Sequence, residues 1–106
     1  MYIRIYKKLS DINLRFWRVN FYKDKNPGSR WYGGGYYDLE TKKLYGWGPF
    51  IMNGANAIKI ELNDEKNCYI MIDRDFMPTY ELERWWEDHE HDREELILKA
   101  IADSLI

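Results

Sequence analysis

The chain has 106 residues, of which 45% are hydrophobic and 17% aromatic, and a formal net charge of −2. That size bounds it to one domain with one core, its apolar content excludes a disordered tail, and a lone cysteine, Cys68, excludes an internal disulfide. No run approaches the roughly 18 apolar residues of a membrane span and residues 1–8 have no apolar signal region, so the sequence predicts a soluble, cytoplasmic protein.

Residues 2–7 alternate Tyr, Ile, Arg, Ile, Tyr, Lys, a period-two pattern that predicts a strand with Ile3 and Ile5 inward and Tyr2, Arg4 and Tyr6 outward. Residues 13–22 predict a second strand whose apolar phase changes part-way. Leu14 and Phe16 point one way, then Trp17, Val19 and Phe21 the other, which calls for a bulge near Phe16 and Trp17 or for burial on both faces of a central strand. Residues 23–29 are a loop, with Pro27-Gly28 placed as in a type II turn.

Residues 29–48 then form an aromatic hairpin around the run Gly33-Gly34-Gly35. Closing its turn on Thr41-Lys42 pairs Leu39 with Leu44, Tyr37 with Gly46 and Tyr36 with Trp47. One face then carries Leu39, Leu44 and Tyr37; the other carries Tyr36, Tyr45 and Trp47. Large rings on both faces exceed what one small core can hold, which marks the leftover face as a contact surface. The glycine run does not predict a phosphate loop, because a strand rather than a helix follows it.

Glycines at 46, 48 and 54 with Pro49 predict a loop through residue 57. Residues 58–62 and 68–73 predict a second hairpin: Cys68, Ile60, Ile70, Ile58 and Ile72 share an apolar face, and Lys59, Glu61, Tyr69 and Met71 the reverse. Cys68 is then an inert packed thiol. From residue 78 onward the pattern is helical, with Leu82, Trp85, Trp86 and His89 on one stripe continued by Ile97, Leu98, Ala100, Ile101 and Leu105. Asp92 and Glu95 fit a capping box, and the segment reads equally as one helix or as two joined near His91. The fold class predicted is α+β: a twisted antiparallel sheet of about five or six strands packed by one or two C-terminal helices.

Charge divides the chain. Residues 1–48 carry a balance of +6 and residues 49–106 one of −8, so the acidic helix either folds onto the basic sheet or meets a partner of its own. Glu87, His91 and Glu95 fall one turn apart on an uninterrupted helix, as a divalent-metal site requires, although helical zinc motifs use two histidines four residues apart. Asp73, Asp75 and Glu61 invite comparison with metal-dependent nucleases, but Lys59 and Glu61 stand in reverse of the usual order. Arg4, Arg15, Arg18, Lys42 and Lys43 among Tyr2, Tyr6, Trp17, Tyr32, Tyr36 and Trp47 suit single-stranded nucleic acid, where bases stack on rings and cations track phosphates.

The reading these features favour is a non-enzymatic protein-binding module without cofactor or metal, resembling immunity proteins and phage-encoded inhibitors in composition alone. Trp31, Tyr32, Tyr36, Tyr45 and Trp47 are the expected anchors, and Glu83, Glu87, Asp88 and Glu90 the expected steering charges. A single-stranded nucleic-acid binder is the first alternative and a metal-dependent hydrolase the second. A twin copy closing the aromatic face as a homodimer is a further arrangement.

Overall fold

A computed structural model describes residues 1–8, 15–48, 69–77 and 82–105. Among the described residues, five strands, β1 (Tyr2–Lys8), β2 (Phe16–Tyr22), β3 (Trp31–Asp38), β4 (Lys43–Trp47) and β5 (Tyr69–Asp75), precede two helices, α1 (Leu82–Asp88) and α2 (Arg93–Ser104). The strands form one antiparallel sheet in the order β4-β3-β2-β1-β5, which establishes the α+β class. No described helix is long and apolar enough to cross a membrane.

Register assigns every side chain to a face. Ile3 pairs with Phe21 and Ile5 with both Val19 and Ile72, placing β1, β2 and β5 hydrophobes on a common inner face. Ile97 and Ile101 of α2 complete that layer, all six of Ile3, Ile5, Val19, Phe21, Ile97 and Ile101 being fully buried. Trp85, Trp86, Phe76 and Met77 pack against its border, with Trp85 edge-on to Phe76 at 6.5 Å and 82°. The Met1 nitrogen donates to the Met77 carbonyl and Phe76 N–H donates to the Met1 carbonyl at 3.1 Å, tying the start of β1 to the segment after β5.

The irregularity in β2 and β3 is not at Phe16 and Trp17. β2 is the middle strand, and its register slips between Phe21 and Tyr22, leaving Tyr32 as an extra residue on β3. Tyr32 thereby enters the core while Trp31, beside it, stays on the outer face. The Pro27-Gly28 turn has the expected geometry: Ser29 N–H donates to the Asn26 carbonyl at 3.0 Å and Gly28 has φ 76°.

The β3–β4 hairpin forms with a different register. Gly34 pairs with Trp47, Gly35 with Gly46, Tyr36 with Tyr45, Tyr37 with Leu44 and Asp38 with Lys43, so the connection is residues 39–42 rather than a two-residue turn. Asp38 is the physical reason. Its Oδ1 accepts from Glu40 N–H at 3.0 Å and Thr41 N–H at 3.4 Å, and Arg15 grips the carboxylate through Nε at 2.9 Å and Nη2 at 2.8 Å. Lys42, at φ 60°, closes the turn by donating its N–H to the Asp38 carbonyl. A displacement that keeps strand parity preserves the predicted faces, so Tyr37 and Leu44 remain inward and Tyr36, Tyr45 and Trp47 outward.

The helical segment is two helices. Residues 89–92 separate them, with Arg93 N–H donating to the His89 carbonyl at 2.8 Å. Asp92 does not cap α2 with its side chain, because His89 Nδ1 lies 2.9 Å from its Oδ1 and takes the carboxylate first. The expected partner strand at residues 58–62, and Cys68, lie outside the described residues; β5 itself matches the predicted second arm.

Two substitutions probe this frame. A Cβ at Gly35 would run into the Tyr45 carbonyl oxygen and the Gly46 Cα, whereas Gly28 has open space and only its positive φ to lose. Gly35→Ala is therefore expected to cost about 2–3 kcal/mol in urea unfolding, against about 1 kcal/mol for Gly28→Ala. Asp38, 1% exposed, has its pKa held far below the usual carboxylate range first by the Arg15 hydrogen bonds and then, against the opposing effect of burial, by the Thr41 side chain and the turn amides. A depressed native pKa confers stability that is complete above the ordinary carboxylate value near 4 and is lost as pH falls below it. The melting temperature of Asp38→Asn should accordingly be lower than wild type at neutral pH and flatter between about pH 5 and pH 2.

Candidate functional site

The outer face is built from rows of residues that cross the strands. Asp73, Arg4, Asn20, Gly34 and Trp47 form one row; Met71, Tyr6, Arg18, Tyr36 and Tyr45 form the next. Tyr2, Tyr22 and Trp31 lie at one end and Phe16, Asp38 and Lys43 at the other. Large rings alternate with arginines because Tyr2, Arg4 and Tyr6 of β1 and Phe16, Arg18 and Tyr22 of β2 take outward positions, Asn20 alone interrupting that run on β2.

Guanidinium groups lie over these rings. Arg4 sits 5.8 Å from the Tyr2 ring and 5.7 Å from Tyr22, Arg18 lies 5.8 Å from Tyr6, and Arg15 lies 5.0 Å from Phe16. Arg4 also bonds Asp73 through Nε at 3.0 Å and Nη2 at 3.4 Å, which raises its pKa further. Burial within this layer, more than any neighbouring charge, pushes the Tyr2 and Tyr22 hydroxyls up. Both stay neutral at physiological pH. Among the described side chains of the face, Arg4, Arg15, Arg18 and Lys43 stand against Asp38, Asp73 and Asp75, an excess of one positive charge.

The five expected aromatic anchors do not share one environment. Trp31 and Trp47 are each 37% exposed and Tyr45 is half-buried, all on the outer face. Tyr36 is buried on that face beside Trp47, ring centroids 6.2 Å apart at 49°. Tyr32 belongs to the core, with Arg30 over its ring at 5.7 Å. The acidic set lies elsewhere: Glu83, Glu87, Asp88 and Glu90 are exposed on α1 and the turn after it. That helix packs Trp85 and Trp86 on the inner layer, so the sheet stands between the acidic residues and the outward rings.

Asn20 carries no motif and escapes sequence reasoning, although an amide among the apolar and aromatic residues of a central strand is the signal that could have found it. It is 7% exposed, faces outward opposite Gly34, and accepts the Trp31 indole N–H on Oδ1 at 3.3 Å. This bond fixes one exposed indole against the sheet.

The alternative chemistries find less support. Glu87, His91 and Glu95 are not on one helix, since α1 ends at Asp88 and α2 begins at Arg93, and no cluster of three metal-ligating side chains occurs among the described residues. Asp73 is engaged by Arg4, and Glu61 lies outside the described residues. For nucleic acid, Arg4 and Arg15 are already neutralised by carboxylates, and Lys7 sits at the Trp17 ring, 5.0 Å away, on the inner side. A groove of about 800 Å³ beside α2 has an apolar floor of Phe76, Met77, Trp85, Leu96 and Ala100 and a rim of mixed sign from Asp24, Lys25, Arg74, Asp75, Lys99 and Asp103. Among the described residues, neither that groove nor the outer face assembles a nucleophile, a base and an oxyanion donor. Comparison with known protein families, curated proteins and solved structures finds no match for this chain.

Removing the amide floor should release the indole above it. Asn20→Ala is expected to lose about 1 kcal/mol in denaturant unfolding, with Trp31 becoming more accessible to a neutral fluorescence quencher.

Proposed function

We propose that this chain is a non-enzymatic protein-binding module, an inhibitor or immunity-like protein of the cytoplasm that occludes a surface of its partner. Its contact surface is the outer face of β3 and β4, where Trp31, Tyr45 and Trp47 meet the partner and Tyr36 supports Trp47 from within. One observation carries the reading: two tryptophans, each 37% exposed, stand on the same face of a sheet whose described charges nearly balance. Tyr, Trp, Met and Arg are the side chains that fill the centres of protein interfaces, and an indole placed there typically carries a large share of the binding energy. Met71, 47% exposed, adds an apolar side chain on the outer face at the other edge of the sheet.

The acidic residues of α1 take a secondary part in this scheme. Glu83, Glu87, Asp88 and Glu90 contribute a long-range field that orients the approaching partner and raises the association rate without lying in the contact.

Partners captured on the immobilised chain provide the test. For a captured protein, Trp31→Ala and Trp47→Ala should each weaken the calorimetric Kd by about 30-fold or more while circular dichroism stays unchanged. Trp85→Ala, at the border of the core, should instead lower unfolding stability by about 3 kcal/mol and leave the Kd of the folded protein as it was. Wild-type Kd in both outer-face variants would overturn the proposal.

A further inference from the structure

Among the described residues the sheet stops at β5, whose one neighbour is β1, and the pairs from Tyr2 opposite Asp75 to Lys8 opposite Tyr69 run without a bulge. The two halves of this edge strand differ. Asp73, Arg74 and Asp75 put charge on both of its faces, Arg74 standing opposite Ile3 on the parity of the inner layer. The other half is apolar on both faces: Ile70, on the inner parity, is 45% exposed, and Met71, on the outer, 47%. Natural sheets blunt an apolar edge with lysine, proline, a bulge or a very short strand. At the far edge β4 is five residues long and opens on Lys43, whereas residues 70–72 of β5 carry none of these devices.

We propose that the chain forms a homodimer in which β5 pairs antiparallel with β5 of a second copy, about a twofold axis at Met71. The sequence of the strand selects both the occupant and the register. A strand that meets its own copy in antiparallel alignment pairs each residue with the one placed symmetrically about the centre, so its pattern has to be its own complement. Three such registers lie wholly within β5 and pair five residues or more. Centring on Met71 sets Ile70 opposite Ile72 on the inner face, twice by symmetry, and Met71 opposite Met71 on the outer face. Centring on Ile72 sets Ile70 against Arg74 and Met71 against Asp73, and centring on Asp73 sets two aspartates against each other. Apolar cross-strand pairs stabilise a ladder and like charges directly opposite destabilise it, which leaves the first register. That register also holds the two Asp73 positions four residues apart along the ladder, about 13 Å.

The dimer does not depend on the protein-binding reading. β5 and the β3–β4 surface lie toward opposite ends of the strand order, so Trp31 and Trp47 stay uncovered in both copies. Pairing along one short strand buries less than a standard interface, which sets the expected Kd between about 10 and 200 µM.

Sedimentation velocity of the full chain between about 5 and 500 µM tests the proposal. The wild type should pass from monomer to dimer across this range. Met71→Glu and Met71→Lys each bring like charges together at the axis; because Met71 is exposed in the single copy, both should keep the wild-type circular dichroism while their self-association weakens at least about tenfold. An equimolar mixture of the two variants should recover the dimer, since opposite charges then meet. A wild type that stays monomeric at the highest concentration, a variant that dimerises as well as the wild type, or a mixture that associates no better than its components would each overturn the proposal. So would a dimer that survives both Met71 substitutions but is lost in Trp47→Ala, which would assign the self-contact to the aromatic face.

Discussion

The close approach of β3 to β4 at Gly35 and Gly46 is the constraint from which the arrangement of rings follows. No side chain fits between the Gly35 Cα and the Tyr45 carbonyl, and the same crowding recurs where Gly48, at φ 119°, meets Gly33. Two strands that lie this tightly together at their inner glycines leave their aromatic residues to crowd the outer side. Tyr36, Tyr45 and Trp47 therefore face outward in a block, and Tyr37 and Leu44 are what remains to seal the inner layer at that edge.

On the outer side, charge is used to hold rings rather than to attract a ligand. Arg4 bridges Asp73 and two tyrosines, and Arg15 joins Asp38 to Phe16, so each guanidinium supplies both an ion pair and a flat surface. The consequence is a rigid, nearly neutral surface despite a sequence whose N-terminal 48 residues are strongly basic. Most of the described acidity of the C-terminal half resides on the helical layer, where Arg93 lies over the Trp86 ring at 4.2 Å.

Period-two alternation in residues 2–7 and helical spacing after residue 82 were legible because each element buries one regular face: Ile3 and Ile5 point in, as do Ile97 and Ile101. The parity of the aromatic hairpin was legible too, since a register that moves by two residues leaves every side chain on its face. Its turn was not, because the Asp38 carboxylate had to be known to accept turn amides while bound to Arg15, a residue 23 positions away. The split of the helix was equally hidden, since it rests on His89 competing for the Asp92 carboxylate that the capping pattern assigned to a backbone amide. At the candidate site, Trp31, Tyr45 and Trp47 could be read from composition and parity. Tyr32 and Asn20 could not, one turned inward by a slip in register and the other lacking any pattern of its own.

That slip makes the length of the glycine-rich ribbon as critical as its content. Trp31 lies on one side of the extra residue, and Tyr36 on the other; both emerge on the same surface only because the chain takes one step more than its neighbour strand. Deleting Tyr32 would leave four positions of plain alternation between them, so both rings would stay outward while the core lost a tyrosine. The extra step thus delivers one more ring to the interior without changing the face on which its neighbours stand.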